Sequence, residues 1–457
     1  MIDYEDTIVA ISTPPGKGGI GIIRISGAQS LPIALRIFMP KQSMESIEAK
    51  HLYFGKVVDR NGRFLDHGYL TFFKAPESYS GENSVEIACH GSPFVLKAIL
   101  EEAASAGARV AEPGEFTMRA FLNGRIDLIQ AEAIQDLIDA RTYYQAQVAY
   151  SQLEGELSRK LAPVKEKLID TIAGAEASLD FPDEDERFIS RREVEESTGF
   201  ILLNIKDLLA SFAEGRVLQE GAIVAIVGAP NVGKSSIFNQ LLKYDRAIVT
   251  DMPGTTRDTV EETIDLDGIP VRLIDTAGLR EARDIVEREG VKRSEHAIRR
   301  AGLVLYVIDY TKDISKDEMD FFSNIPPERV VVVVNKIDLN KKIDESDIPK
   351  KHAHIMKVSA RDGDGIMELN RKIRTLLSSL NENSLSDSII TNIRHAELLK
   401  QASHALHEAS ASLKSESFEE YVLLDLKKAL HSLNELTGET TMEEIYDRIF
   451  SRFCLGK

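Results

Sequence analysis

The 457-residue sequence predicts a multidomain α/β protein: an N-terminal α+β domain, a discontinuous helical bundle, and an inserted domain with a mostly parallel sheet. Three observations predict it. Residues 1 to about 118 alternate short β-rich runs with two helical patterns, whereas helical periodicity fills Leu122 to Phe212 and resumes from Ile389. Between the helical blocks, apolar strand-like runs end in Gly-, Asp- and Asn-containing motifs, the pattern of a phosphate-binding α/β domain.

In the first domain, Thr7 to Ile11, Gly21 to Ile25, Leu52 to Val58, Tyr69 to Phe73 and Val85 to Ala88 read as strands of a mainly antiparallel sheet. Asn61-Gly62 supplies a hairpin turn, and Ser30 to Phe38 and Phe94 to Ala106 read as helices. Pro14-Pro15-Gly16-Lys17-Gly18-Gly19 lacks the closing Gly-Lys-Ser/Thr of a phosphate loop and reads as a tight turn.

Ile126, Ile129, Ala133, Ile134, Leu137 and Ile138 form an apolar stripe at helical spacing. Asp183-Glu184-Asp185-Glu186 after Pro182 reads as a solvated turn. A second stripe runs through Ile389, Ile393, Leu398, Leu399, Ala402, Ala405 and Leu406, and a third through Val422, Leu423, Leu426, Leu430 and Leu433 to a C-cap at Gly438. One bundle interrupted by an insertion whose ends lie close together accounts for the two helical blocks. The predicted boundaries are 1–118 for the N-terminal domain, 119–216 and 380–457 for the two parts of the helical domain, and 217–379 for the insertion.

The insertion opens with Ala222 to Val227, a strand-like run leading into Gly228-Ala229-Pro230-Asn231-Val232-Gly233-Lys234-Ser235, which fits G-x-x-x-x-G-K-[ST]. The backbone of Asn231, Val232, Gly233, Lys234, Ser235 and Ser236 can cradle phosphates, with Lys234 on the terminal phosphates and the Ser235 hydroxyl on Mg²⁺. Asp275-Thr276-Ala277-Gly278 follows the strand-like Val271 to Ile274, where Asp275 can hold Mg²⁺ through water and the Gly278 N–H can meet the γ-phosphate. The five valines Val330 to Val334 read as a buried parallel strand ending in Asn335-Lys336-Ile337-Asp338. A carboxylate at Asp338 accepts from both donors on the guanine edge, which selects GTP over ATP. Ser359-Ala360, after Ile355 to Val358, completes the base pocket through a backbone N–H. The insertion is therefore predicted to be a Ras-like P-loop GTPase domain.

Leu279 follows this second motif, where Ras-like proteins usually carry a water-orienting glutamine; leucine has no hydrogen-bonding group. Asn231 and the oxygen-rich segment Thr250-Asp251-Met252-Pro253-Gly254-Thr255-Thr256-Arg257-Asp258 could together cage a large monovalent cation. From spacing alone, Glu281, Glu287 and Glu289 are equal choices for positioning the water.

With 56 basic and 73 acidic residues, a formal charge of −17, the chain is not a nonspecific nucleic-acid coat, so RNA contact must be local. Cys89 and Cys454 make neither a disulfide framework nor a metal signature, which suits a reducing cytoplasm. The acidic start Met1 to Asp6 lacks signal-peptide blocks, and no run reaches about 18 apolar residues. A cytoplasmic protein with no membrane contact is expected.

The Asn231 phosphate loop, Gly254-Thr255-Thr256-Arg257-Asp258, Asp275-Thr276-Ala277-Gly278-Leu279-Arg280 and Phe453-Cys454-Leu455-Gly456-Lys457 resemble the MnmE (TrmE) family of tRNA uridine-modifying GTPases over essentially the whole chain. The resemblance implies K⁺-driven G-domain dimerisation and hydrolysis. Its K⁺ ligands would be the Asn231 and Thr255 side chains with the Thr250 and Met252 carbonyls, and its Mg²⁺ ligands Ser235 and Thr256. It selects Glu287, in Asp284-Ile285-Val286-Glu287, as the water-orienting residue.

It also implies an N-terminal domain that forms a homodimer and binds 5,10-methylenetetrahydrofolate or 5-formyltetrahydrofolate through Arg24, Glu86, Arg125 and Lys457. Arg125 stands where lysine is common in the family, and Ser92 replaces a glycine after His90-Gly91. Cys454 becomes a functional thiol whose part as nucleophile, proton donor or substrate orienter stays open. The implied partners are tRNA and the flavoprotein MnmG (GidA), in a heterotetramer or larger complex that adds an aminomethyl or carboxymethylaminomethyl group to C5 of the wobble uridine. A ribosome-assembly or RNA-chaperone GTPase of the same superclass is the alternative. It would need neither folate nor a reactive thiol.

Overall fold

The computed structural model describes the chain apart from residues 1–5, 42–45, 181–188, 213–214, 216–220, 245–259, 267–268, 276–297, 299–300, 341–342, 344–347, 350–353, 379–389, 414–417, 441–445, 447–448, 452, 455 and 457. It divides into two compact units: residues 1–135, 152–158 and 430–457, and residues 136–151 and 159–429. The predicted architecture is observed. An N-terminal α+β domain, a helical domain and a mostly parallel α/β domain are all present.

In the first unit, β1 (Ile8–Ile11), β2 (Gly18–Ser26), β3 (Phe38–Pro40), β4 (Leu52–Val58), β5 (Phe64–Phe73), β6 (Ser84–Gly91) and β7 (Arg109–Val110) form one sheet in the order β3-β4-β5-β6-β2-β1-β7. All neighbours are antiparallel except β1 and β7. Side chains alternate between faces along each strand, and this sets the layers. Ile23, Ile25, Leu70, Val85 and Ile87 are buried under α1 (Ser30–Ile37) and α2 (Pro93–Ser105) through Ile33, Ile37, Leu96 and Ile99. The intervening Arg24 and Glu86 stand opposite one another on the other face. Gly62, with φ 75° and its N–H on the Asp59 carbonyl at 2.9 Å, makes the expected turn between β4 and β5.

The short strands β3 and β7 and the helix α3 (Glu115–Leu122) have no counterpart in the sequence reading. Strands of two or three residues are too short to carry a period, and six of the eight residues of α3 are buried, so it shows no polar face. Phe116 of α3 packs with Ile8, Ala10 and Ala111 on the sheet face that holds Arg24. Phe450 and Phe453 close over Met118, Leu128 and Ile134.

The second unit contains β8 (Ala222–Gly228), β9 (Val260–Leu266), β10 (Ile269–Asp275), β11 (Leu303–Asp309), β12 (Val330–Asn335) and β13 (Ile355–Val358), in the order β13-β12-β11-β8-β10-β9. Only β9 and β10 pair antiparallel. Helices α8 (Lys234–Tyr244) and α10 (Ile366–Ser378) supply Ile237, Phe238, Leu369 and Ile373 to one core layer, while Phe322 of α9 (Lys316–Asn324) belongs to the other. Cover on both faces explains why every residue of β12 is buried. Ser315 and Glu318 close a capping box at the start of α9.

Helices α4 (Leu128–Asp139), α5 (Tyr143–Leu153), α6 (Glu156–Asp180), α7 (Arg191–Ala210), α11 (Ile393–Ser412) and α12 (Phe418–Thr437) carry the helical pattern. Helix α7 packs on α11, and Glu176 of α6 pairs with Lys427 of α12 at 2.6 Å. The apolar stripes are buried or half-buried except at two positions: Ile138 in the last turn of α4 is 43% exposed and Ile393 in the first turn of α11 is 44% exposed. Ile389 lies outside the described residues. Gly438, at φ 89°, caps α12 by donating to the Asn434 carbonyl at 2.9 Å. No helix among the described residues is long and apolar enough to cross a membrane.

Candidate functional site

In an open parallel sheet, ligands collect beyond the carboxyl ends of the strands. Five such ends converge here. Strand β8 delivers the phosphate loop, β10 ends on Asp275, β11 on Asp309, β12 on Asn335, and β13 leads into Ser359. Gly228 and Gly233 take φ of 144° and 98°, and a Cβ at Gly233 would overlap the Asn335 amide. The loop therefore needs glycine at both positions. Asn231 also has a positive φ, 63°, a conformation asparagine tolerates better than most residues.

Lys234, only 7% exposed, lies across the loop with its ammonium donating to the carbonyls of Gly228 at 3.0 Å and Ala229 at 2.8 Å. Ser235 and Ser236 are exposed in the first turn of α8, whose leading N–H groups favour an anion. Val232 is buried in the core beneath the loop.

Asn335 ties this loop to the segment predicted to complete the base pocket. Its side chain, buried to 2% exposure, donates from Nδ2 to the Val232 carbonyl at 2.8 Å and accepts at Oδ1 from the Ala360 N–H at 3.0 Å. Ser359 Oγ lies 2.9 Å from Asp338 Oδ1 and 3.1 Å from Asp362 Oδ2, which orients the exposed Asp338 carboxylate. Lys336 Nζ donates to the Asn231 carbonyl at 2.8 Å and pairs with Asp309 Oδ2 at 2.6 Å. Burial raises the Asp309 pKa, but hydrogen bonds from Lys336 and Thr311 outweigh it and hold the carboxyl below its usual value.

Asp309 was missed in the sequence, although an acid closing the apolar run Leu303–Asp309 was a usable signal. Gln240 was missed as well. Its Nε2 donates to the Ala360 carbonyl at 2.8 Å and fastens α8 to the 359–360 segment.

The residues fit a nucleotide with its ions as far as they are described. Asn231 is exposed and its side-chain amide has no hydrogen-bond partner among the described residues, so an oxygen donor is available for a monovalent cation. Asp275 is described only as the last residue of β10. Thr250, Asp251, Met252, Pro253, Gly254, Thr255 and Thr256, the turn residues Thr276, Ala277 and Gly278, and Glu287 lie outside the described residues.

A second constellation occupies the Arg24 face of the N-terminal sheet. Arg24 Nε and Nη2 donate to Glu86 Oε1 at 3.0 and 2.8 Å, and its guanidinium lies 4.9 Å from the Tyr79 ring centre and 5.7 Å from that of Phe116. Arg24 Nη1 is buried without a hydrogen-bond partner among the described residues. Such an orphaned donor fits a ligand that brings an oxygen acceptor. Arg125 is exposed and packs beside Gly81, two residues from Tyr79.

The C-terminal segment reaches the same domain, where the Gly456 carbonyl accepts from Ser12 Oγ at 3.1 Å. Cys454 is exposed between this anchor and the buried Phe453; Lys457 lies outside the described residues. Cys89 contrasts with it, being 6% exposed and pushed up to about 11 by burial and the nearby Asp66 charge. Sequence reading also missed Arg119. It is 1% exposed, and it binds Glu82 Oε1 and Oε2 at 3.2 Å and the Asp6 carboxylate, bracing the segment that carries Tyr79.

Family comparisons agree over nearly all of the chain. The GTP-binding protein TrmE N-terminus family matches residues 7–125, and the MnmE helical domain family matches residues 128–454. The tRNA modification GTPase MnmE of Acetivibrio thermocellus is 43% identical over 456 residues, 99% of either chain. That of Aquifex aeolicus is 43% identical over 454 residues, 99% of this chain and 100% of the relative. Among solved structures, the G domain of the T. maritima FeoB iron transporter is 28% identical over 34% of this chain and 98% of that one, with a TM-score of 0.26. With whole-length relatives at this identity and both family domains matched in sequence order, the chain belongs to the MnmE family of tRNA modification GTPases.

Proposed function

We propose that the chain is a potassium-activated GTP hydrolase acting in tRNA modification. The observation that carries this reading is the double hydrogen bond of Asn335 to Val232 and Ala360, which links the phosphate-loop motif to the 359–360 segment and supports a single guanine-nucleotide site. Asp338 accepts from the two donors of the guanine edge, Ser235 and Thr256 serve Mg²⁺, and Asn231, Thr255, Thr250 and Met252 serve K⁺. Glu287 orients the attacking water in place of the glutamine that Leu279 excludes. Hydrolysis drives association and separation of G domains within a homodimer held through the N-terminal domains.

The modification itself belongs to the N-terminal unit and a cytoplasmic partner, the flavoprotein MnmG. Together they add an aminomethyl or carboxymethylaminomethyl group to C5 of uridine 34 of certain tRNAs. The orphaned Arg24 Nη1 and the anchoring of Gly456 on Ser12 support a tetrahydrofolate one-carbon donor bound by Arg24, Glu86, Arg125 and Lys457, with Cys454 in the same domain. Family membership weighs against the ribosome-assembly alternative.

Mass analysis of wobble uridines in tRNA from cells lacking this chain tests the reading. Loss of C5-aminomethyl-type groups is the expected outcome, and an unchanged nucleoside profile rejects it.

A further inference from the structure

We propose that Asp309 is a positioning residue for the cation donor of the phosphate loop, acting through Lys336 on Asn231; this rests on the potassium reading above. Asp309 closes β11 with its side chain 2% exposed. One carboxylate oxygen accepts from the Thr311 N–H at 3.0 Å and the Thr311 hydroxyl at 2.7 Å, while the other takes Lys336 Nζ at 2.6 Å. The same ammonium donates to the Asn231 carbonyl at 2.8 Å. A chain of three residues thus runs from a buried anchor to the loop residue that supplies the cation's side-chain donor.

Two arguments give this chain a task. Asn231 and Lys336 are non-glycine residues at φ 63° and 70°, a backbone region that persists when surrounding bonds over-determine it. The Lys336 bond to the Asn231 carbonyl is such a bond, and Asp309 keeps Lys336 in reach. The second argument is electrostatic. An ammonium bonded to the backbone of a cation donor repels a second positive charge nearby, and the Asp309 carboxylate offsets that repulsion. Removing the carboxylate therefore loosens the donor and strengthens the field opposing K⁺.

The test uses the full-length protein and its Asp309→Asn variant, with Thr311→Val as a milder change that retains the carboxylate if the first variant fails to fold. GTP turnover is titrated with K⁺ at constant ionic strength in Na⁺. In parallel, thermal melting of the GDP–aluminium fluoride complex is followed over the same K⁺ range, and fluorescent GDP affinity is measured in Na⁺ alone. The K⁺ midpoints of both titrations should rise about fivefold in Asp309→Asn, the scale of one ordinary net hydrogen bond for a group that acts only through its neighbours, and move the same way by less in Thr311→Val. That rise should exceed any loss of GDP affinity in Na⁺. Midpoints equal to wild type, or shifted no more than GDP affinity, overturn the proposal while leaving the potassium reading standing. A wild-type protein indifferent to K⁺ in both titrations removes the potassium reading and this inference with it.

Discussion

The Asn335 side-chain nitrogen donates to the Val232 carbonyl across 2.8 Å, which makes the end of β12 a strut for the phosphate loop. Asn335→Ala would leave both the Val232 carbonyl and the Ala360 N–H without this partner, at about 1–3 kcal/mol for each buried group. Lower thermal stability and weaker GTP binding should appear together. Asp338→Ala, at an exposed position, should weaken GTP binding with little change in melting temperature. Calorimetric titration beside thermal melting separates the two, and a fully stable Asn335→Ala protein would contradict the strut.

The two thiols should differ sharply in reactivity. Cys89 is held up to about 11, so at pH 7.5 almost none of it is thiolate, and it is buried as well. Cys454 is exposed. Alkylation of the native protein at pH 7.5 should label Cys454, with Cys89 reacting only on unfolding or as the pH approaches its raised value. Peptide mass mapping reads the order, and equal labelling at neutral pH would refute it.

Potassium should raise turnover well above the rate in sodium. Glu287→Ala should keep GTP affinity and lose most hydrolysis, on the order of a hundredfold for a group that positions water or moves a proton. Single-turnover phosphate release in the two salts measures both effects. Unchanged hydrolysis in Glu287→Ala would return the role to Glu281 or Glu289.

In the N-terminal domain, 5-formyltetrahydrofolate should bind saturably by calorimetry. Arg24→Ala should weaken it by about tenfold or more, the scale of a charge-assisted hydrogen bond. Tyr79→Ala removes the ring against which Arg24 lies and should weaken it less. A flat wild-type titration would falsify the folate assignment.

Much of this was legible because it obeys short-range rules. The valines of β12 announced a strand covered on both faces, and Gly438 announced the end of α12. Strand ends were legible too, since phosphate and base motifs must follow them. What stayed hidden is long-range pairing. Nothing near Asp309 in sequence points to Lys336, 27 residues on, and nothing near Arg119 points to Glu82, 37 residues back. Gln240 looks like any polar residue of an amphipathic helix until β13 brings Ala360 beside it. Ile138 and Ile393 erred in the opposite sense, because periodicity continues through helix ends where packing has already stopped.

Under the proposed potassium reading, the positive φ of Asn231 means that two separate requirements, one of backbone shape and one of donor chemistry, select the same residue. Glycine would meet the first alone, and alanine would meet neither. A substitution pair at this single position therefore works as a resolving instrument: whatever activity glycine retains and alanine loses belongs to the turn, and whatever both lose belongs to the amide oxygen.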